Sequence, residues 1–541
     1  MGILATDHET ARRAAQKVKI TYEDLTPLVV SIHDAIANQS YVAETPVLTN
    51  HRDSNGKKAE PDFTNCDVVV EGEARVGGQE HFYLEPQGCI VIPGEEDELQ
   101  VFTSSQTVSY VQRDIAHVLG IPQNRVVVSV KRVGGGFGGK ETAPSLVAVS
   151  VAIAALKYKK PVKHIVERFE DMVFTGTRHP FYAKYKLGLD KSGKFEAYQS
   201  ILYSNAGYSV DLSIGVLNKA VTSVDNTYYF PQFYTQAKAC RTNIQSSTAF
   251  RGFGGPQAMY VTETMIDHAA STIGLSPEKV REINFYQEGD IAPHSQPIFM
   301  CNAKRCWDEC KELSNYEKRL SDIKSQNKTQ RWNKKGLSLI PTKFGIAFNK
   351  LELNQGGALV NIYTDGSVLI SHSGMEMGQG LHTKMLQIAS KVLDLPIERI
   401  HILETATDKI PNGGPTAASC GSDLNGQAVK IACETLMKRL QPVKENNPKG
   451  TWEDWIGTAY TERIQLSATG FWKTPDIKLF DWDSCTGTIY DYYVWGAACS
   501  EVEVDCLTGD HRVLRQDIVM DIGDSLNPAI DIGQIEGAFT Q

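Results

Sequence analysis

Long apolar runs are missing. No stretch of the 541 residues reaches the roughly 18 consecutive apolar positions that a membrane-spanning helix needs. The N-terminus has no basic stretch followed by an apolar one, so a secretory signal is not expected. Excess positive charge is missing too. Lys and Arg total 55 against 64 Asp and Glu, a net charge of -9, whereas a nucleic-acid-binding protein normally presents a basic face. Cysteine is sparse, and 11 residues scattered along the chain fit reduced thiols in a cytoplasmic protein better than a disulfide framework. Cys301, Cys306 and Cys310 lie near one another, but C-x4-C-x3-C is one residue longer than the plant-type ferredoxin run. They are expected to be half-buried helical thiols, not cluster ligands.

What is present is an ordinary globular composition, 41% hydrophobic and 22% charged, in a chain too long for a single core. Its centre of organisation is Gly134-Gly135-Gly136-Phe137-Gly138-Gly139-Lys140-Glu141. Residues 126–133 before it are β-branched and read as a strand; residues 145–158 after it are alanine-rich and read as a helix. Strand, glycine loop and helix together expose backbone N–H groups to an anion or an oxo ligand. Two generic patterns fit this loop poorly. G-x-G-x-x-G for a dinucleotide wants an acidic residue about 20 positions on, where Lys159-Lys160-Pro161 stand; a Walker A loop wants Ser or Thr where Glu141 stands. The device recurs. Residues 249–257 open onto a helix at 258–271, 374–380 onto 381–393, and 412–422 onto 424–440, while Gly533 is expected at the entry to a last segment. Such turns can converge N–H groups and helix dipoles on one large anionic ligand.

The eight-residue string resembles the molybdenum-cofactor domain of the xanthine dehydrogenase and aldehyde oxidase family. The likeness extends to Gly77-Gly78 with Gln79-Glu80-His81-Phe82-Tyr83-Leu84, to Thr248-Ala249-Phe250-Arg251-Gly252-Phe253-Gly254-Gly255-Pro256-Gln257 and to Glu376-Met377-Gly378-Gln379-Gly380. Pro415-Thr416-Ala417-Ala418-Ser419 and Asp531-Ile532-Gly533-Gln534-Ile535-Glu536-Gly537 complete the set, in family order along the whole chain. The resemblance implies a mixed α/β (α+β) fold with two large molybdopterin-binding subdomains. Residues 1–38 would be the end of an a/b hammerhead domain, 39–311 the first part of the molybdopterin-binding domain and 312–541 its second part, with 312–335 an irregular charged connector. It also implies a molybdenum-molybdopterin cofactor, with two [2Fe-2S] clusters and FAD in the complete enzyme on domains absent from this sequence. The complete enzyme would be a homodimer hydroxylating a small molecule with oxygen from water, without a membrane or nucleic-acid partner. Met1 to Thr6 match the myristoylation pattern, which is read as chance because the resemblance makes residue 1 an interior position.

Residue by residue, the resemblance puts Gln106, Phe137, Arg251 and Ala418 around the molybdenum centre, as neighbours of its ligands. Gly138 is implied as a further cofactor contact on the same loop. Gln379, Ser419 and Gln534 map to pterin contacts. Glu141 looks like the substrate-side carboxylate, although an acid at a helix N-terminus is also common for dipole reasons alone. Phe253 and Phe348 fit the aromatic pair that sandwiches a flat substrate, or ordinary core packing. Glu141 favours a purine, because aldehyde oxidases typically carry an apolar residue there. Lys219 stands where the purine branch has an arginine, and Asn349 where it usually has threonine; Lys keeps the charge and loses the planar fork. The pocket is expected to be charged on both sides.

The family's general base, a glutamate in Gly-Glu-Pro-Pro, does not occur in this sequence. The expectation is therefore a segment truncated at both ends, taken from a xanthine dehydrogenase-like purine hydroxylase. An aldehyde oxidase remains open as an alternative, as does an inactive cofactor-binding fragment.

Overall fold

The structure, a computed structural model, describes residues 2–541. Among them are fourteen α-helices and four sheets, a mixed α/β architecture. Val68–Val76, Phe181–Leu189, Phe195–Gly207 and Gln232–Arg241 are successive strands of a six-stranded sheet edged by Tyr41–Glu44 and Leu48–Thr49. Phe195–Gly207 and Gln232–Arg241 run parallel, so the chain must cross over between them, and it does so through the helix Ser213–Val221. In a second, five-stranded sheet, Leu99–Thr103 and Val126–Val130 are parallel partners linked by the helix Val108–Leu119. The helix Ala143–Tyr158 packs on the same face through Ala148, Val151 and Ala152, against Val91, Val101 and Val128.

Later residues form a four-stranded sheet of Gln355–Ile362, Val368–His372, Ile400–Ile402 and Ser467–Lys473. The helices Leu381–Leu393, Gly421–Asn446 and Trp452–Thr461 cover it. A three-stranded sheet joins Asn333–Ile346, Tyr492–Asp505 and His511–Asp521. Early and late stretches interlock. Thr405–Ala406 pairs with Val126–Val130 in the second sheet, and Leu339, Trp495 and Cys499 sit in one core with Ala258, Met265 and Trp307.

The expected helices follow the glycine turns at Ala143–Tyr158, Gly255–Ile273, Leu381–Leu393 and Gly421–Asn446. Three readings are corrected. Residues 312–335 are not an irregular connector, because Tyr316–Thr329 is a helix whose Tyr316, Leu320 and Ile323 recur at helical spacing and turn inward. Gly533 lies inside the helix Pro528–Thr540 rather than at its entry. Asn527 caps that helix by accepting the Ile530 N–H at 3.2 Å, and Pro528 follows it; a cap and an early proline outweigh a lone glycine. Cys306 and Cys310 lie fully buried within Ala303–Leu313, deeper than expected, and burial pushes the Cys310 thiol up to about 12. Among the described residues no helix is long and apolar enough to cross a membrane.

Candidate cofactor and substrate site

The glycine loop leaves Val126–Val130 and turns through positive φ at Gly135, Phe137 and Gly138 before entering Ala143–Tyr158. A Cβ at Gly136 would stand 2.5 Å from Gln106 Oε1, and one at Gly138 2.5 Å from Ala249 O, so glycine is what lets the loop press against both neighbours. Gln106 fastens it. Its Oε1 accepts the N–H of Gly138 at 2.9 Å and of Lys140 at 3.4 Å, while its Nε2 donates to Thr416 O at 3.0 Å. The Arg251 N–H donates to Phe137 O at 2.9 Å, and the Arg251 guanidinium donates to Gln534 O at 2.8 Å. Val133 N–H reaches Glu376 O at 2.8 Å, and Met375 N–H reaches Thr416 Oγ1 at 2.8 Å. Gln379 folds its amide back onto its own loop, donating to Met375 O at 2.9 Å and accepting from Met377 N–H at 2.8 Å. Ala418 and Ser419 take φ of 55° and 60°, in a turn of the kind that presents backbone N–H groups. Gln106, Phe137, Gly138, Arg251, Gln379, Ala418, Ser419 and Gln534 thus lie on segments that meet, although they come from widely separated parts of the chain.

Lys140, the residue that invited a phosphate-loop reading, points the other way. It is fully buried, donates to Glu85 O at 2.5 Å and lies 4.5 Å from the Tyr83 ring centroid. Glu85 Oε2 also accepts from Gly134 N–H at 2.5 Å, and Gln87 donates to Gly139 O at 2.9 Å, so the loop is braced from behind.

The substrate-side candidates gather along Ser213–Val221. Gly215 carries the Phe253 ring, since a Cβ there would be 2.9 Å from Phe253 Cε1, and its carbonyl accepts from Asn349 Nδ2 at 3.1 Å. One turn further on, Lys219 Nζ donates to Gly345 O at 2.7 Å and sits 4.1 Å from the ring centroids of both Phe344 and Tyr490. Phe348 packs in the same small cluster as Phe344, Ala418 and Cys420. Glu141, 8% exposed, precedes Thr142, whose hydroxyl donates to Asp211 Oδ1 at 2.8 Å just ahead of that helix. A narrow crevice, no larger than one water molecule, opens beside Phe348, Ser373, Thr416, Ala417 and Asn425.

The expectation of charge on both sides needs correction. Burial, reinforced by the Asp211 carboxylate, pushes the Glu141 carboxyl up to about 8. Burial, reinforced by Lys343 and opposed by Asp225, pulls the Lys219 amine down to about 7. Both shifts run toward the uncharged forms, so burial works against charge on either side. Asp211, Glu85 and Gln87 were not singled out from the sequence; they lie in no glycine motif, and only tertiary folding brings them to the loop.

Two family models, each described as a molybdopterin cofactor-binding domain, match residues 42–285 and 309–541. Along its full length the chain is 51% identical to the xanthine dehydrogenase/oxidase of Mus musculus and 49% identical to the xanthine dehydrogenase of Calliphora vicina. The chain belongs to the molybdopterin-binding region of the xanthine dehydrogenase family. It spans about 40% of the length of those relatives. Among solved structures, the aldehyde oxidoreductase of Desulfovibrio gigas superimposes with a TM-score of 0.87 at 26% identity, covering 98% of this chain and 58% of that one. The reconstituted CO dehydrogenase of Oligotropha carboxidovorans, at 19% identity and TM-score 0.85, shares the fold. The loops of this xanthine dehydrogenase-family chain fit a large anionic pterin cofactor. They offer left-handed turns at Phe137 and at Ala418 and Ser419, of the kind that presents backbone N–H groups, together with the Arg251 guanidinium. Among the described residues no three His, Cys, Asp or Glu side chains are grouped to hold a metal ion.

Proposed function

We propose that this chain binds the molybdenum-molybdopterin cofactor and hydroxylates a purine such as hypoxanthine or xanthine, with water as the oxygen source. The observation that carries the reading is the gathering of Phe253, Asn349 and Lys219 on Ser213–Val221, with Glu141 next to Thr142, whose hydroxyl donates to Asp211 ahead of that helix. Gln106, the Phe137–Gly138 backbone, Arg251, Gln379, Ala418, Ser419 and Gln534 would hold the cofactor, which when bound supplies the oxygen-transfer and two-electron chemistry. Phe253 and Phe348 would take the flat ring between them. Glu141, protonated near neutrality, donates a hydrogen bond to a ring nitrogen or carbonyl of the purine. Lys219 lies where developing negative charge on the ring is stabilised, as a point charge lacking the two-pronged geometry of arginine. In the assembled enzyme we place this region with two [2Fe-2S] clusters and FAD, in a cytoplasmic homodimer.

One observation favours a second reading, an aldehyde oxidase. Lys219 spends its amine on Gly345 O and two aromatic faces, and Asn349 spends its amide on Gly215 O, which withdraws both from a substrate. Lys219→Ala in the cofactor-loaded enzyme separates the two. Hypoxanthine kcat/KM should fall by a factor of about 100, the usual scale for one transition-state donor, with benzaldehyde turnover changed by less than about threefold. Equal losses on both substrates would overturn the purine reading.

A further inference from the structure

Asp211 stands in the turn between Phe195–Gly207 and Ser213–Val221 with φ of 38°, a left-handed conformation that Asp and Asn adopt more readily than other side chains. Both of its carboxylate oxygens are used. Oδ1 accepts from Thr142 Oγ1 at 2.8 Å and Oδ2 accepts from Thr248 Oγ1 at 2.6 Å. Thr142 follows Glu141, and Thr248 opens the turn that leads to Arg251, so one side chain joins the segment carrying the substrate-side acid to the segment carrying a cofactor-side guanidinium. The same two segments touch once more where Gly138 meets Ala249. Among the described residues Glu141 has no ion-pair partner. The charge facing it from Asp211 is negative, and the helix Val108–Leu119 carries the phenol of Tyr110, which feels the charges of Glu141, Arg113 and Lys350.

We infer that Asp211 is a positioning residue: by holding Thr142 and Thr248 it fixes the spacing between Glu141 and Arg251, and it sets its negative charge beside Glu141. The inference rests on the reading of Glu141 as the substrate-facing acid. Two consequences separate it from a merely structural tether. Removing the charge while keeping the shape, as in Asp211→Asn, makes ionisation of Glu141 easier. Removing the two hydroxyl donors while keeping the charge, as in Thr142→Val with Thr248→Val, leaves that carboxylate less neutralised and makes ionisation of Glu141 harder. Simple loosening that let water in would ease ionisation in both variants.

The test is an infrared titration of the protonated-carboxyl band of Glu141, assigned by its loss in Glu141→Gln, in the cofactor-loaded enzyme. Asp211→Asn should lower the midpoint by about half a pH unit or more, the scale of a nearby, partly screened charge. The double threonine variant should raise it and raise the purine KM several-fold. An unchanged midpoint in Asp211→Asn, or a fall in both variants, overturns the inference. Should Asp211→Asn fail to fold, the double variant decides alone, since a midpoint at or below that of the native chain overturns it. The two readings fail separately. If Glu141→Gln leaves purine kcat/KM intact, the substrate role of Glu141 falls, while the midpoints still judge the effect of Asp211.

Discussion

At the residue scale, the two titratable groups of the candidate pocket act on stability with opposite signs. Glu141 titrates at about 8 in the fold against an ordinary 4.5, so the native state holds a proton that the unfolded chain releases. Stability therefore falls as pH rises from 4.5 through 8, and above 8 the cost of a buried carboxylate is fully present. Glu141→Gln should match the native chain near pH 4 and exceed it at pH 9 by roughly 2–5 kcal/mol, read as a growing gap between melting temperatures. A gap that stays flat across that window would show that Glu141 is not desolvated in solution. Lys219 runs the other way. Its amine sits at about 7 against 10.5, so stability rises as pH climbs from 7 to 10.5, and Lys219→Met should help most below pH 7 and progressively less above it. A Lys219→Met advantage that persisted at pH 10.5 would mean that lost packing or gained volume, rather than charge, governs the site. Sequence reasoning could name Glu141 and Lys219 because each stands beside a legible pattern. It could not read their protonation, which depends on Gly345, Asp211 and Lys343 arriving from elsewhere in the chain.

At the scale of elements, the glycine loop is held so closely that a single methyl group separates two kinds of failure. Gly138 combines φ of 105° with a carbonyl 2.5 Å from where its Cβ would be, whereas Gly378 has φ of 99° and nothing within 4 Å. Gly378→Ala pays only backbone strain, about 1 kcal/mol. Gly138→Ala adds a backbone clash that must push the loop off Ala249. Molybdenum content per chain should fall about tenfold or more in Gly138→Ala and by less than about half in Gly378→Ala, with helical circular dichroism little changed in either. Equal loading in both would remove close loop approach as the reason for these glycines. This level of the fold was the most readable. β-Branched residues before the loop and alanines after it dictate strand and helix, and the turns at 249–257, 374–380 and 412–422 each open a helix as expected. Reading glycine as punctuation failed where better signals existed: Asn527 and Pro528 start the last helix ahead of Gly533, and Tyr316, Leu320 and Ile323 make a helix of a charged stretch without any glycine. Local chemistry marks where elements start; which loops then face each other is decided by packing over long sequence distances.

At the scale of the whole molecule, Gln106 is where early and late segments are joined inside the candidate cofactor site. Its side chain is almost wholly buried and satisfies the N–H groups of Gly138 and Lys140 on one side and the carbonyl of Thr416 on the other. The neighbouring backbone repeats the link, since Gln106 N–H donates to Lys140 O at 2.8 Å and Thr416 N–H donates to Gln106 O at 3.0 Å. Gln106→Ala would keep those two backbone bonds and strand the groups its amide had satisfied, each buried unpaired group costing about 1–3 kcal/mol. The destabilisation should therefore reach roughly 3 kcal/mol in the cofactor-free chain, seen as a lower denaturant midpoint before any question of catalysis arises. A further loss then belongs to the cofactor. A ligand held between early and late segments stabilises the folded chain by mass action, about 4 kcal/mol at a thousandfold excess over its dissociation constant, and only while those segments are correctly spaced. Loading should raise the melting temperature of the native chain far more than that of Gln106→Ala. If the variant lost stability without cofactor yet gained as much on loading, Gln106 would be a structural strut alone, and cofactor binding would depend on the remaining loops.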